Sequence, residues 1–166
     1  LNEVGEKYEK GVFFLPQLMR SAEVSQQAFD LLEGYLQSGE GFQKGTLVIG
    51  TVKGDIHDIG KNMVAVMVKN HGYRVIDLGK NVPAETFVEA VVEHKAEFLG
   101  LSALMTTTMQ EIPAVIALLR EKSPQTKVII GGAVITEEFA QEAGADGFGR
   151  DAVQTVKLMD EFLNVR

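Results

Sequence analysis

Asp55, His57 and Gly60 stand in the stretch Gly54-Asp55-Ile56-His57-Asp58-Ile59-Gly60, where one histidine lies between two carboxylates and two glycines bracket the set. An imidazole can ligate a metal or carry a proton, and a carboxylate two residues away can hold its second nitrogen. Flanking glycines let the backbone come close to a bound group. Two later pieces have related potential: Ser102-Ala103-Leu104 with Thr106 and Thr108, and the pair Gly131-Gly132. Each piece alone also has an ordinary reading. A loop histidine often only bonds a neighbouring Asp, hydroxyls cap helices, and paired glycines close strand-to-helix turns.

The surrounding pattern says how these pieces are positioned. Thr46–Val52 is an apolar, β-branched run that reads as a buried strand, and Met63, Val66, Met67 and Asn70 recur at helical spacing behind the histidine. Further strands are expected near 74–78, 97–102, 127–130 and 144–148. Helices are expected near 59–71, 84–95, 107–122, 136–143 and 151–163, with Pro83 and Pro113 in early helical turns. Five strand–helix units with short loops predict an α/β fold: a five-stranded parallel sheet in the flavodoxin-like (Rossmann-like) order 2-1-3-4-5. In that order strands 1, 3 and 4 are neighbours. The three pieces then meet in one crevice at the carboxyl ends of the strands, where such sheets hold ligands.

Residues 1–44 read differently. Pro16 opens a helical pattern carried by Leu18, Met19, Ala22, Phe29, Leu32 and Leu36, which Ser38–Gly41 brings to an end. A helix and a half leaves an apolar stripe that must pack on the following domain, on a partner or on further helices. The chain opens on Leu1 rather than Met, which suggests a trimmed helical bundle.

Composition removes several function classes. With no cysteine, disulfides, thiolate metal sites and cysteine nucleophiles are excluded. Three histidines, His57, His71 and His94, are too scattered for an all-protein zinc site. The net charge of −7, spread without a basic patch, argues against nucleic acid as a partner. No apolar run approaches the roughly 18 residues of a membrane span, and no signal segment is evident, so a cytoplasmic protein is expected.

Taken together, Asp-x-His-x-x-Gly, then 41 residues, Ser-x-Leu, then 26 residues and Gly-Gly resembles the signature of the cobalamin (vitamin B12) binding domain. The likeness is to the methionine synthase and corrinoid-protein branch. It extends to Phe14-Leu15-Pro16-Gln17 and Arg20–Val24, which resemble the helical cap before that domain. The resemblance implies a cap segment over 1–44 and a B12-binding domain over 45–166, with cobalamin or a related corrinoid as the cofactor. It makes His57 the cobalt ligand, oriented by Asp55, with Thr108 in the place of a serine that extends the pair. Gly54, Ile56, Asp58, Ile59 and Gly60 would contact the cofactor around that ligand. Ser102, Leu104 and Thr106 would line the slot for the displaced nucleotide tail, with Gly131 and Gly132 beside it where a Cβ would clash. Phe148 and Gly149 are expected to complete the slot, while Tyr8 and Leu15 would shield the upper face of cobalt.

The resemblance further implies a corrinoid carrier subunit, not a complete enzyme, that shuttles a methyl group on cobalt from a methyl-donor methyltransferase to an acceptor such as tetrahydrofolate. A reductive activator is an expected third partner. The same motifs occur in the small subunit of adenosylcobalamin-dependent mutases, against which the cap-like segment speaks. They also occur in corrinoid-dependent sensors, which would need a DNA-binding module. A flavodoxin-like domain without corrinoid is the remaining alternative.

Overall fold

The structure, a computed structural model, describes residues 2–14, 16–21, 23–24 and 44–164. After helix α1 (Asn2–Glu9) and a helical stretch over 16–21, five strands alternate with five helices. They run β1 (Thr46–Thr51), α2 (Ile59–Asn70), β2 (Arg74–Asp77), α3 (Ala84–His94), β3 (Phe98–Ser102), α4 (Ile112–Lys122), β4 (Lys127–Gly131), α5 (Glu137–Glu142), β5 (Gly147–Phe148) and α6 (Ala152–Asn164). The sheet is wholly parallel in the order β2-β1-β3-β4-β5, as the alternating pattern predicts. All residues of β1 and β3 are buried, which is why they read as continuous apolar runs and not as alternating ones.

Alternate residues of the central strands feed two cores. Val48, Leu99, Leu101, Val128 and Ile130 pack under α3 and α4 with Phe87, Ile112 and Leu119. Leu47, Ile49, Phe98 and Ile129 pack under α2 and α6 with Met67, Val68, Val156 and Met159. Leu18, 1% exposed, joins this second core, so the segment behind Pro16 rests partly on the α2 side of the sheet. The continuation of that helix through Ala22, Phe29, Leu32 and Leu36 lies outside the described residues, as does Leu15.

The register decides where the three motifs end up. Thr51 pairs with Ser102, and Ser102 with Gly131, so the last residues of β1, β3 and β4 form one row across the sheet. The loop with His57 leaves the first end of that row, the loop from Ala103 to Thr108 leaves the middle, and Gly132 leaves the third.

Two elements differ from expectation. The strand expected near 144–148 is only two residues long, Gly147–Phe148. The helix expected over 107–122 begins as a single 3-10 turn, Met109–Glu111, and becomes α-helical only at Ile112. Pro113 sits at its start, where a missing N–H costs nothing. Thr108 flanks the turn without capping it through its side chain, because its hydroxyl is used elsewhere.

Candidate functional site

The stretch from Val52 to Asp58 is held in place from several directions. Gly54 turns the chain at φ +80°, a conformation that suits glycine, and Asp55 N–H closes the turn on Val52 O at 3.1 Å. Asp55 then points inward with no exposed surface. Its Oδ1 accepts from the backbone N–H of His57 at 3.0 Å and lies 2.7 Å from His57 Nδ1. Its Oδ2 accepts from Leu104 N–H at 2.7 Å and from the Thr108 hydroxyl at 2.8 Å. Thr51 Oγ1 donates to His57 O at 3.0 Å and fixes the other side of the peptide.

Burial pushes the Asp55 carboxyl up. The N–H groups of Leu104 and His57, the imidazole and the Thr108 hydroxyl outweigh it, and together hold the carboxyl well below the usual carboxylate range. An ionised carboxylate can only accept, so Nδ1 of His57 is the donor in this pair. In the neutral ring that tautomer leaves Nε2 without a proton, and the side chain is 49% exposed. The result is a basic nitrogen on a rigidly held, accessible ring.

A cleft of about 360 Å³ opens on the α2–α6 side of the sheet and reaches Leu104, whose N–H holds Asp55. Leu47, Ile49 and Ile129 lie at its base, Met63 and Val64 come from α2, and Ala152 and Thr155 from α6. Gly100, Gly131 and Gly149 contribute no side chains to it, which is part of why it stays open. Added Cβ atoms would meet the protein itself: at Gly131 the Gly149 carbonyl at 2.6 Å, at Gly149 the Thr155 hydroxyl at 2.4 Å. Gly132 has φ +139°, and a Cβ there would lie 1.8 Å from Ala103 O. The glycine pair is thus required by the meeting of three chain segments, before any ligand is considered.

The residues singled out from the sequence are distributed as follows. Gly60, Ser102, Leu104, Gly131, Gly132, Gly149 and Tyr8 line the cleft. Asp55, His57 and Thr108 form a hydrogen-bonded chain outside the lining, joined to it by Leu104 N–H. Ile56 and Ile59, on either side of His57 in sequence, are 66% and 72% exposed; Asp58 faces Lys80 at 3.6 Å. Ile59 also borders a groove of about 290 Å³ shared with Leu18, Met19 and Met63. Thr106 is exposed and away from the cleft. Phe148 packs into the core on the opposite face under α3 and α4, because alternate residues of β5 point to opposite sides. Tyr8 rests among the residues that line the cleft and packs on the α2–α6 core.

Three participants were not singled out from the sequence. Thr51 closes a strand and reads as ordinary β-branched filling. Asn81, between Gly79 and Pro83, reads as a turn residue. Lys61 falls in the helical pattern as a surface cation, yet its side chain is 1% exposed and its ammonium lies 2.6 Å from both Asp77 oxygens and from Asn62 Oδ1. A charged residue one position past the last glycine of the motif was the available signal.

A family model described as a B12 binding domain matches residues 45–157, and a second with the same description matches residues 1–33. The chain belongs to the B12-binding family. It is 42% identical over 166 residues to the dimethylamine corrinoid protein 2 of Methanosarcina acetivorans, covering 98% of this chain and 77% of that one. It is 40% identical over 160 residues to the trimethylamine corrinoid protein 1 of Methanosarcina mazei, covering 94% and 74%. Among solved structures it resembles the methanol:cobalamin methyltransferase complex of Methanosarcina barkeri, with TM-score 0.87 and 34% identity over 98% of this chain and 63% of that one.

The cofactor of a B12-binding chain is a corrinoid, and the residues present suit one. No group of three or more His, Asp or Glu able to cage a metal occurs among the described residues. A metal supplied within an organic macrocycle would ask the protein for few ligands, and the imidazole of His57 would be the residue to hold it. The apolar cleft, with glycines at Gly100, Gly131 and Gly149 along its lining, offers room for part of such a cofactor. No helix among the described residues is long and apolar enough to cross a membrane.

Proposed function

We propose that this chain is the corrinoid-carrying subunit of a methyltransferase system fed by a small methylated amine or alcohol. It would take the methyl group from a donor-specific methyltransferase and deliver it to a nucleophile held by a second methyltransferase. The observation that carries the reading is the His57–Asp55 pair: a half-exposed imidazole whose Nδ1 is held at 2.7 Å by a fully buried carboxylate. The donor class is supported by relatives named for dimethylamine and trimethylamine and by the methanol complex. None of these names an acceptor, so the expectation of tetrahydrofolate gains no support from them.

In this reading His57 Nε2 would hold the cofactor's metal, and Asp55 would keep the ring in the tautomer and orientation that present that nitrogen. When bound, the corrinoid supplies a cobalt centre that accepts a methyl group and gives it up to a nucleophile. The chain's own residues do the remaining work. Thr108 steadies the far carboxylate oxygen. Ile56 and Ile59 offer the apolar surface a macrocycle can cover. Gly60, Ser102, Leu104, Gly131, Gly132 and Gly149 leave the cleft open for the tail. Residues 1–44 would serve as a cap, with Tyr8 as a shielding side chain; Leu15, expected beside it, lies outside the described residues; a reductive activator would be a third partner.

Reconstitution tests the reading. Protein mixed with cobalamin and desalted should keep its colour, and the Co(II) form of ¹⁵N-histidine-labelled protein should show hyperfine splitting from a histidine nitrogen. A colourless protein after desalting, or splitting only from the cofactor's own base, would overturn it. Paired with a methylamine-class or methanol methyltransferase, the loaded protein should then support methyl transfer from the matching donor.

A further inference from the structure

Asn81 has φ +56° and shares a positive φ with only one other non-glycine residue among those described, Lys95. Lys95 has an evident reason for it, because it caps the C-terminus of α3 in the left-handed conformation. Asn81 ends no helix, and its side chain is not part of a core, since the residue is exposed. Glycine, used two residues earlier at Gly79 with φ +79°, would adopt this conformation with less strain. What asparagine adds is a side-chain oxygen.

That oxygen is used. Asn81 Oδ1 accepts from Gly54 N–H at 2.8 Å, and Asn81 N–H donates to Asp55 O at 3.0 Å. One residue therefore grips the main chain of the two residues that lead into Ile56 and His57. The same loop is tied to β1 by Thr51 N–H to Gly79 O at 2.9 Å and Val82 N–H to Thr51 O at 3.0 Å. Lys80 reaches Asp58 at 3.6 Å, a weak exposed pair. Asp55 is thus held twice: its carboxylate by Leu104 and Thr108 from the β3 side, its backbone by Asn81 from the β2 side. With both grips in place, Oδ1 reaches the N–H and Nδ1 of His57 together.

We infer that Asn81 is a positioning residue for the axial ligand: through Gly54 and Asp55 it sets the tautomer and orientation in which His57 presents Nε2. The inference rests on the reading of His57 as that ligand. It does not require Asn81 to touch the cofactor. It also gives the side-chain oxygen a role that glycine at the same φ could not fill.

Two variants separate backbone from side chain. Asn81→Gly keeps the conformation and the N–H to Asp55 but removes the acceptor for Gly54. Asn81→Asp keeps an acceptor in the same place. The first readout is ¹⁵N NMR of histidine-labelled protein without cofactor, where the ring couplings report the tautomer. The parent and Asn81→Asp should show His57 in the Nδ1–H form, and Asn81→Gly a mixture of tautomers. The second is the Co(II) spectrum with cobalamin: the histidine-ligated fraction should fall several-fold in Asn81→Gly and stay at the parental level in Asn81→Asp. An Asn81→Gly protein with the parental tautomer and ligated fraction overturns the inference, as does an Asn81→Asp protein that behaves like Asn81→Gly. A parent that binds no cobalamin would overturn the functional reading instead, and the cofactor-free spectra would still decide the role of Asn81.

Discussion

Asp55 Oδ1 accepts from both the backbone N–H and Nδ1 of His57, at 3.0 and 2.7 Å, so one carboxylate oxygen sets the position and the tautomer of the same residue. Oδ2 is also occupied by donors alone, from Leu104 and Thr108. Four donors converge on one buried acceptor. The pair behaves as a unit in which the ring can turn only by leaving its own backbone partner.

Asp55→Asn tests this directly. The amide oxygen best replaces Oδ2, where Leu104 N–H offers nothing else, which turns the amide NH₂ toward His57. There it would donate to Nδ1, move the ring proton to Nε2 and block the nitrogen needed for the metal. His57 N–H would lose its acceptor as well. The expected result is a folded protein destabilised by about 1–3 kcal/mol, with the histidine splitting of the Co(II) form largely lost. Retention of parental splitting would show that the loop's shape alone orients the ring.

Two glycine substitutions should behave in opposite ways. At Gly132 an added Cβ would stand 1.8 Å from Ala103 O on a backbone at φ +139°, so Gly132→Ala should fail to fold or lose the Ala103–Gly131 bond that joins β3 to β4. At Gly60 nothing lies within 4 Å of an added Cβ, and the residue is already helical. Gly60→Ala should therefore raise stability by up to about 1 kcal/mol. Because Gly60 lines the cleft, any loss of cobalamin affinity in this variant would report contact with the ligand and not damage to the fold. Thermal melts and titration with cobalamin separate the two effects.

Most of the topology was legible because burial on both faces leaves continuous apolar runs, as in Thr46–Thr51 and Phe98–Ser102, and because glycine and proline mark the turns. The site was legible where one local motif places its residues, as with Asp55 and His57. What stayed hidden depends on pairs distant in sequence. Asn81 meets Gly54 across 27 residues, and Lys61 meets Asp77 across 16. Nothing in either segment alone distinguishes a keystone from a turn residue, or a buried ammonium from a surface one. Phe148 was misplaced for a similar reason: a two-residue strand carries no periodicity from which to read its inner face.

Acid should weaken the fold through Asp146, at the opposite end of the sheet from His57. Burial raises its carboxyl, but Val128 N–H at 2.8 Å, Arg120 at 2.6 Å and Lys127 at 2.9 Å outweigh this and lower it below the usual range. A carboxylate depressed in the folded state contributes stability that is fully present above its unfolded pKa of about 3.9 and is lost as pH falls through the folded value. Unfolding free energy from urea melts should then be flat from neutrality to about pH 5 and decline below it. Asp146→Asn should lower stability by about 1–2 kcal/mol at pH 7 and reduce the acid slope. An unchanged slope would assign acid sensitivity to Asp55 and Asp160, whose carboxyls are lowered in the same direction.

Thr108 can be divided into its hydroxyl and its methyl. The hydroxyl lies 2.8 Å from Asp55 Oδ2 and 3.0 Å from Met105 O, and its single proton can serve only one of them at a time. The methyl sits under Gly54, 3.6 Å from where a Cβ would be. Thr108→Val keeps the bulk and removes the donor, so Asp55 Oδ2 would retain only Leu104 N–H. The cost should be about 1 kcal/mol, and the carboxylate would be freer to rotate away from Nδ1. Thr108→Ser keeps the donor and gives up the methyl, worth about 0.8 kcal/mol of apolar burial. The two variants should thus melt at similar temperatures yet differ in ligation. In Co(II) spectra Thr108→Ser should match the parent, while Thr108→Val should show a reduced histidine-ligated fraction. If both variants keep the parental spectrum, Leu104 N–H alone suffices to anchor Asp55, and the Thr108 hydroxyl serves only the turn at Met105.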